Sequence, residues 1–354
     1  MIFFNKKSYN KLNSILFKYS KIFILTDKNV KKHCLLKLFN NAPLLKNSNL
    51  IVIKPGEIEK NIYTCIYIWK KIIENKGDRN SLIINFGGGV ITDIGGFIAS
   101  LFKRGIDFIN IPTTLLSMCD ASIGGKNGID FYNIKNEIGI FNNPKFILID
   151  ISYLETIPKK EFYSGISEIY KHGLIFDYNF WCYLKLNLNK KKEELINEEL
   201  INIIKKSIYI KKKIFEKDPL EKNLRKILNF GHTIGHSIET CFIKENNPLT
   251  HGESIFIGMM CESWISYKML DLSKKEYNDI CNTFLKVPEI NIKKNIYKKK
   301  NEILSMLIYD KKNKNGKIYF SLLNKIGKCI YNKEIKNNII EESLKKINKK
   351  LIKN

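Results

Sequence analysis

Three of the chain's 5 histidines, His232, His236 and His251, fall in one short region, FGHTIGHSIE followed by PLTHGES. His232 and His236 stand at i and i+4, so on a helix they share a face and can address one site. A zinc-protease helix requires a glutamate directly after the first histidine, and Thr233 stands there instead, which removes that chemistry. Two imidazoles joined by one carboxylate, with a fourth position left for substrate, make a catalytic zinc arrangement. Glu168, in SEIYKHG, is the best carboxylate on sequence grounds. Each residue also has a plainer reading: helix histidines making ordinary hydrogen bonds, and a Glu168–Lys171 i,i+3 ion pair worth about 0.2–0.5 kcal/mol.

A second kind of chemistry is suggested further upstream. The apolar run Leu82 to Phe86 leads straight into Gly87-Gly88-Gly89-Val90 and then into the helical pattern ITDIGGFIASLF. At a strand-to-helix turn, glycines let backbone N–H groups approach a pyrophosphate while the helix N-terminus adds positive potential. The spacing is not G-x-G-x-x-G, and a tight turn by itself also calls for glycine. The following PTTLLSMCDASIGGKNGID concentrates hydroxyls, an acid, glycines and Lys126 after another buried strand, a composition that purely structural loops seldom have.

The elements that must position these residues are legible as two textures. Over residues 1–150, short β-branched runs alternate with helical stretches; strands are expected at Lys21 to Thr26, Leu50 to Ile53, Ser81 to Phe86, Phe108 to Ile111 and Phe146 to Ile149. Each is a continuous apolar run closed by polar, Gly or Pro punctuation, the pattern of strands covered on both faces in a parallel sheet. The expectation is an α/β fold: an N-terminal Rossmann-like open parallel sheet domain. Over residues 151–354, EFYSGISEIYKHGLI, NEELINIIKKSIYIKKKIFE and HGESIFIGMMCESWISYKML carry apolar residues at helical spacing, so a mainly α-helical C-terminal domain follows. GKIYFSLLNKIGKCIYN reads as a hairpin before a lysine-rich terminal helix.

At 354 residues with 44% hydrophobic and 27% charged residues, the chain has the composition of a globular protein and length for about two domains. No apolar run reaches the roughly 20 residues of a membrane span, and lysines interrupt the start where a secretory core would continue. The expectation is a soluble, cytoplasmic protein with no membrane partner. Its 8 cysteines are scattered without a C-x-x-C pair, as fits reduced thiols in a cytosol. The net charge of +25 would suit a nucleic-acid binder, but the lysines spread over helical surface positions without interleaved stacking aromatics. They read as a solvated coat with no specific nucleic acid, whose field helps draw in anionic metabolites.

FGGGVITDIGGFIAS, KRGIDFINIPTTLLSMCDASIGGKNGID, KNEIGIFNNP, SGISEIYKHGLI, LRKILNFGHTIGHSIE and HGESIFIGM together resemble, in this order, the motif series of the 3-dehydroquinate synthases, members of the sugar phosphate cyclases. The resemblance implies a shikimate-pathway lyase that uses NAD and a divalent metal, usually zinc with cobalt able to substitute, and works as a homodimer. It implies Glu168, His232 and His251 as metal ligands. It implies cofactor contacts at Asp27, Asn29, Glu57, Lys60, Gly88, Gly89, Val90, Asp93, Thr113 and Thr114, with Tyr153, Thr156 and Ile157 beside them. Lys126, Asn136, Asn229 and His236 resemble the cradle for the substrate phosphate, Lys211 and Arg225 the pair around its carboxylate, and Arg104 an arginine that reaches across a dimer interface. Asp120, Lys135, Lys171, Asp218 and Glu221 match further polar site positions, as does one of Lys311 and Lys312; Lys126 and Lys135 count with the cofactor positions too. Ala121 and Asn127 replace the commoner Ser and Thr, and DPLEKNLR lacks a usual glycine.

The implied substrate, 3-deoxy-D-arabino-heptulosonate 7-phosphate, carries a phosphate and a carboxylate, for which lysine and arginine are suitable partners. The implied reaction oxidises one hydroxyl, eliminates phosphate, returns the hydride and closes the ring by an aldol step. The substrate's own phosphate can take a proton, so His236 mainly hydrogen-bonds and assists. Two other enzymes remain in view: a related cyclase on a carboxylate-free sugar phosphate, and a metal-dependent polyol or glycerol-phosphate dehydrogenase.

Overall fold

The structure is a computed structural model that describes residues 1–132, 134–243, 245–289, 294–307 and 317–353. Two compact units, Met1–Ile157 and Pro158–Asn354, make up the chain. The first continues past Asp150, where the sequence changes texture, because the turn Ile151–Thr156 is tied back into it. Tyr9 donates to Asp150 Oδ2 at 2.9 Å and lies 2.8 Å from the Tyr153 hydroxyl, and Lys37 reaches the Ser152 carbonyl at 3.0 Å.

The first unit runs β1 (Ile2–Phe4), α1 (Lys6–Leu16), β2 (Lys21–Asp27), α2 (Lys28–Asn41), β3 (Asn49–Ile53), α3 (Ile62–Glu74), β4 (Ser81–Gly87), α4 (Gly89–Leu101), β5 (Asp107–Pro112), β6 (Lys126–Phe131), β7 (Ile134–Phe141) and β8 (Ile147–Ile149). Six of these strands form a parallel sheet in the order β1-β8-β5-β4-β2-β3. Every residue of β4 is buried, which is why its sequence is a continuous rather than an alternating apolar run. Helix α4 packs closely on β4 and β6 because Gly95 and Gly96 lack side chains: a Cβ there would collide with Asn85 of β4 and Asn127 of β6. The five expected strands are all present. Missing from the sequence reading were β1 and the antiparallel pair β6–β7, whose residues are largely exposed along β7 and so leave little apolar periodicity.

The second unit runs α5 (Lys159–Phe176), α6 (Tyr178–Asn187), α7 (Lys192–Leu195), α8 (Glu198–Lys217), α9 (His232–Phe242), α10 (His251–Met269), α11 (Lys274–Phe284), α12 (Lys300–Leu307), β9 (Tyr319–Lys325), β10 (Lys328–Glu334) and α13 (Asn337–Lys353). Helix α10 is its centre, buried without a break from Gly252 to Ser266 and packed by α5, α9, α11 and α13. A helix covered all round need not be amphipathic, and the HGESIFIGMMCESWIS run is apolar or small on most sides. Tyr170, Trp181, Phe256 and Phe284 meet edge to face between α5, α6, α10 and α11, at centroid distances of 4.7–6.2 Å. The expected hairpin and terminal helix are present as β9–β10 and α13. Among the described residues no helix is long and apolar enough to cross a membrane.

Candidate active site

Three helices of the second unit bring together the trio expected to hold a metal. Glu168 projects from the middle of α5 and is fully buried, while His232 and His251 are the first residues of α9 and α10. Glu168 Oε1 lies 3.3 Å from His232 Nε2 and 3.5 Å from His251 Nε2. The same oxygen is buried and makes no hydrogen bond, whereas Oε2 takes the buried Lys171 ammonium. The ion pair expected as a plain alternative therefore forms, but in the interior, and it leaves the second oxygen for another partner. Ligands held at about 2.0–2.2 Å around a tetrahedral ion stand about 3.3–3.6 Å apart, so this donor set fits a divalent metal of the zinc type.

The histidine tautomers are set from behind. His232 Nδ1 is 3.1 Å from the Phe230 carbonyl, an acceptor only, so the ring proton sits on Nδ1 and the Nε2 lone pair faces Glu168. His251 Nδ1 is 3.3 Å from Glu239 Oε2. Burial and the Lys171 charge hold His232 below the usual histidine range. Burial also opposes charge on His251, but Glu239 and Glu168 outweigh it and raise that ring to about 10. Burial would raise the Glu168 carboxyl, but the adjacent Lys171 ammonium outweighs it and holds the group ionised well below the ordinary carboxylate range. His236 lies on the same face of α9 as His232, with ring centroids 5.0 Å apart and 5.9 Å to His251.

Local sequence explains why these helix starts converge. Gly231 has φ +80°, and a Cβ there would meet the Met259 side chain and the α10 backbone. A Cβ on Gly252 would strike the Ser164 backbone of α5, and one on Gly258 would strike the Gly231 carbonyl. Gly252 N–H donates to Ser164 Oγ at 2.8 Å. The buried Glu262 carboxylate accepts from Gly231 N at 2.6 Å and Ile234 N at 3.2 Å, pinning the start of α9. Sequence reasoning missed Glu239 and Glu262. Glu239 had a signal, since it lies three residues past His236 on the same helix face; Glu262 had only its place as an acid inside an apolar helix.

Near the trio in sequence, Asp218 braces the loop that carries Arg225 by accepting from the N–H groups of Lys222, Asn223 and Arg225 at 2.7–3.0 Å. This closes the stretch that lacks its usual glycine. Buried Arg225 donates Nη1 to the Pro219 carbonyl at 2.6 Å, and Asn229 donates to Glu221 Oε1 at 2.7 Å. Lys211 is buried in α8. Lys311 and Lys312 lie outside the described residues.

In the first unit, β4 ends in Gly87 and Gly88 precedes α4 directly. A Cβ on Gly88 would stand 3.0 Å from Thr114 Cγ2, and the buried Thr113 Oγ1 makes no hydrogen bond. A bare helix start beside an orphaned hydroxyl fits the pyrophosphate of a dinucleotide. Lys60 is buried and donates to Asp93 Oδ2 at 2.6 Å and Asn136 Oδ1 at 2.5 Å, and Lys135 pairs with Glu57 at 3.5 Å. Five expected residues thus form one polar cluster, in which Asn136, expected in the phosphate cradle, bonds to Lys60, expected at the cofactor. Val90 and Asp120 are half-buried, and Lys126 and Arg104 are exposed. Asp27 spends one carboxylate oxygen on the N-terminus of α2, accepting from Asn29 and Val30. The Tyr153 hydroxyl is occupied by the Tyr9 network, and Thr156, just before Ile157, lies against Cys34.

Two family models match the chain, 3-dehydroquinate synthase N-terminal over residues 50–164 and 3-dehydroquinate synthase C-terminal over residues 165–313. The 3-dehydroquinate synthase of Parabacteroides distasonis is 35% identical over 329 residues, covering 92% of this chain and 91% of the relative. Among solved structures, 2-deoxy-scyllo-inosose synthase complexed with carbaglucose-6-phosphate, NAD+ and Co2+ superposes with a TM-score of 0.84 at 23% identity, covering 98% of this chain and 96% of the other. The 2-epi-5-epi-valiolone synthase of Streptomyces hygroscopicus, with NAD+ and Zn2+ bound, gives 0.83 at 22% identity, covering 99% and 97%. These two likenesses speak for the fold.

Proposed function

The chain belongs to the 3-dehydroquinate synthase family, and we propose that it works as a phosphate-eliminating lyase with resident NAD and a divalent metal, zinc or in its place cobalt. Its substrate is 3-deoxy-D-arabino-heptulosonate 7-phosphate and its products are 3-dehydroquinate and phosphate. The observation that carries the metal assignment is the orphaned, buried Glu168 Oε1 facing two imidazole nitrogens. When bound, the metal supplies Lewis acidity toward neighbouring hydroxyls and NAD a hydride acceptor regenerated in the same turnover.

The residues divide the remaining work. Glu168, His232 and His251 hold the metal, and Lys171 keeps Glu168 ionised in the interior. The bare N-terminus of α4 after Gly88 and Gly89 receives the pyrophosphate, with Thr113, Thr114 and the Lys60–Asp93 pair beside it. Arg225 and Lys211 bind the substrate carboxylate, Arg225 being braced by Asp218 and Pro219. Lys126, Asn136, Asn229 and His236 take the phosphate, whose oxygens accept the proton released beside it, and His236 hydrogen-bonds in support. Asp120, Lys135 and Glu221 orient these groups.

The assembly is a cytoplasmic homodimer in this reading. Tyr63, Ile66, Tyr67 and Ile73 expose one apolar face of α3, and Phe131, Tyr132, Ile138 and Phe141 expose another on β6–β7; contiguous exposed apolar surface marks interfaces. Exposed Arg104, on the same unit, would serve a second copy. All 8 cysteines are free, as suits a reducing compartment. The deciding experiment is incubation of the purified, zinc-loaded protein with the heptulosonate phosphate and trace NAD. Phosphate release without net NADH supports this reading, whereas stoichiometric NADH replaces it with a dehydrogenase.

A further inference from the structure

We propose that Glu239 is a positioning residue of the metal centre: its carboxylate turns the His251 ring so that Nε2 faces the ion. The inference rests on Glu168, His232 and His251 being the ligands. The two histidines are held differently. His232 Nδ1 meets a backbone carbonyl at 3.1 Å, and its side chain is 11% exposed, so packing and main chain lock it. His251 opens α10, its ring is 24% exposed, and the carboxylate 3.3 Å from its Nδ1 belongs to Glu239.

Glu239 is itself nine-tenths covered, and α9 fixes its place because His232, His236 and Glu239 follow one helix face. One helix thus supplies a ligand and also the group that aims a ligand from another helix. A carboxylate on Nδ1–H retains the proton there, leaves the Nε2 lone pair for the metal and raises its basicity; removing such a partner commonly costs about 10–100-fold in metal affinity. The atoms of His236, Glu239 and His251 also lie within 4.8 Å of one another, which would let Glu239 ligate a second ion. That arrangement would need His251 to bridge two ions through both ring nitrogens as an imidazolate, with loss of the Nδ1 proton, so the orienting role is favoured.

The test is cobalt titration of the metal-stripped protein, read by visible absorption and chelator competition, for wild type, Glu239→Gln, Glu239→Ala and His232→Ala. Glu239→Gln keeps the shape and an acceptor oxygen and is expected to weaken cobalt binding about tenfold; Glu239→Ala is expected to approach a hundredfold loss and to alter the cobalt band. Stoichiometry should remain one, and NAD binding and the melting temperature of the metal-free protein should be unmoved. If Glu239→Ala fails to fold, Glu239→Gln decides alone. Wild-type affinity and spectrum in the Glu239 variants overturn the proposal, as does a wild type that binds two cobalt ions of which the variants lose only the weaker. Normal cobalt binding by His232→Ala overturns the ligand assignment instead.

Discussion

At Glu168, one buried carboxylate answers two demands: Oε2 neutralises Lys171 and Oε1 faces two imidazoles. A buried polar oxygen without a partner is costly, so Oε1, facing two imidazoles, suits a bound cation. Chelation should abolish phosphate release and zinc or cobalt should restore it. His232→Ala should bind metal poorly and stay inactive at any metal concentration, checked by metal analysis beside turnover. The job proposed for Arg225 is different, since its planar fork suits a carboxylate and a charged hydrogen bond is worth about 1.5–3 kcal/mol. Arg225→Ala should lose about tenfold to a hundredfold in kcat/KM toward the heptulosonate phosphate. Toward sedoheptulose 7-phosphate, which lacks the carboxylate, wild type should be poor and the variant little worse. Equal use of both substrates by wild type would reassign the chain to a cyclase of the other kind. Much of this was legible from residue types and spacing: the His232–His236 pair, the glutamate in SEIYKHG and the glycine turn.

The site's geometry depends at the element scale on helices approaching without side chains between them. Gly252→Ala would press a methyl group into the Ser164 backbone, and such overpacking costs about 1–3 kcal/mol. The expected outcome is a lower melting temperature together with weaker metal binding, because α5 and α10 carry two of the proposed ligands. A surface-helix Gly→Ala change would instead raise stability. The loop that presents Arg225 is held by Asp218, whose carboxyl is kept below its usual range by backbone N–H groups against the effect of burial. A depressed carboxyl stabilises above its unfolded pKa, about 3.9, and the contribution is lost as pH falls through the lower folded value. Asp218→Asn should therefore be less stable than wild type at neutral pH, and denaturant melts should show the gap narrowing below about pH 4. A gap that does not change with pH would deny Asp218 this charge-dependent role. These helices were readable from their period, but β6–β7 was not, since an exposed hairpin carries little apolar alternation.

For the whole molecule, the exposed apolar faces of the first unit and the net charge of +25 act in opposite directions on association. The proposed dimer requires the apolar patches to win at short range, which physiological salt favours because its Debye length is only about 8 Å. Ile66→Glu combined with Tyr67→Glu should give a monomer by light scattering with a normal melting profile, and should lose phosphate release if Arg104 serves a second copy. A dimer that persists would move the interface elsewhere. The amino-acid sequence by itself determined the parallel-sheet and helical halves, the five principal strands and the three residues that meet at the candidate metal site. Those signals are local: a period of two or 3.6, a glycine turn, two histidines one helical turn apart. Only the tertiary structure decided that Glu168 divides its oxygens between Lys171 and the two histidines, that Lys60 joins Asp93 to Asn136, and that Glu239 and Glu262 stand behind the α9 and α10 starts. Apart from the Glu168–Lys171 pair within α5, each of those relations sets groups distant in the sequence within about 3.5 Å, a hydrogen-bonding distance. No periodicity encodes such a distance, because it is set by how closely whole helices and strands pack.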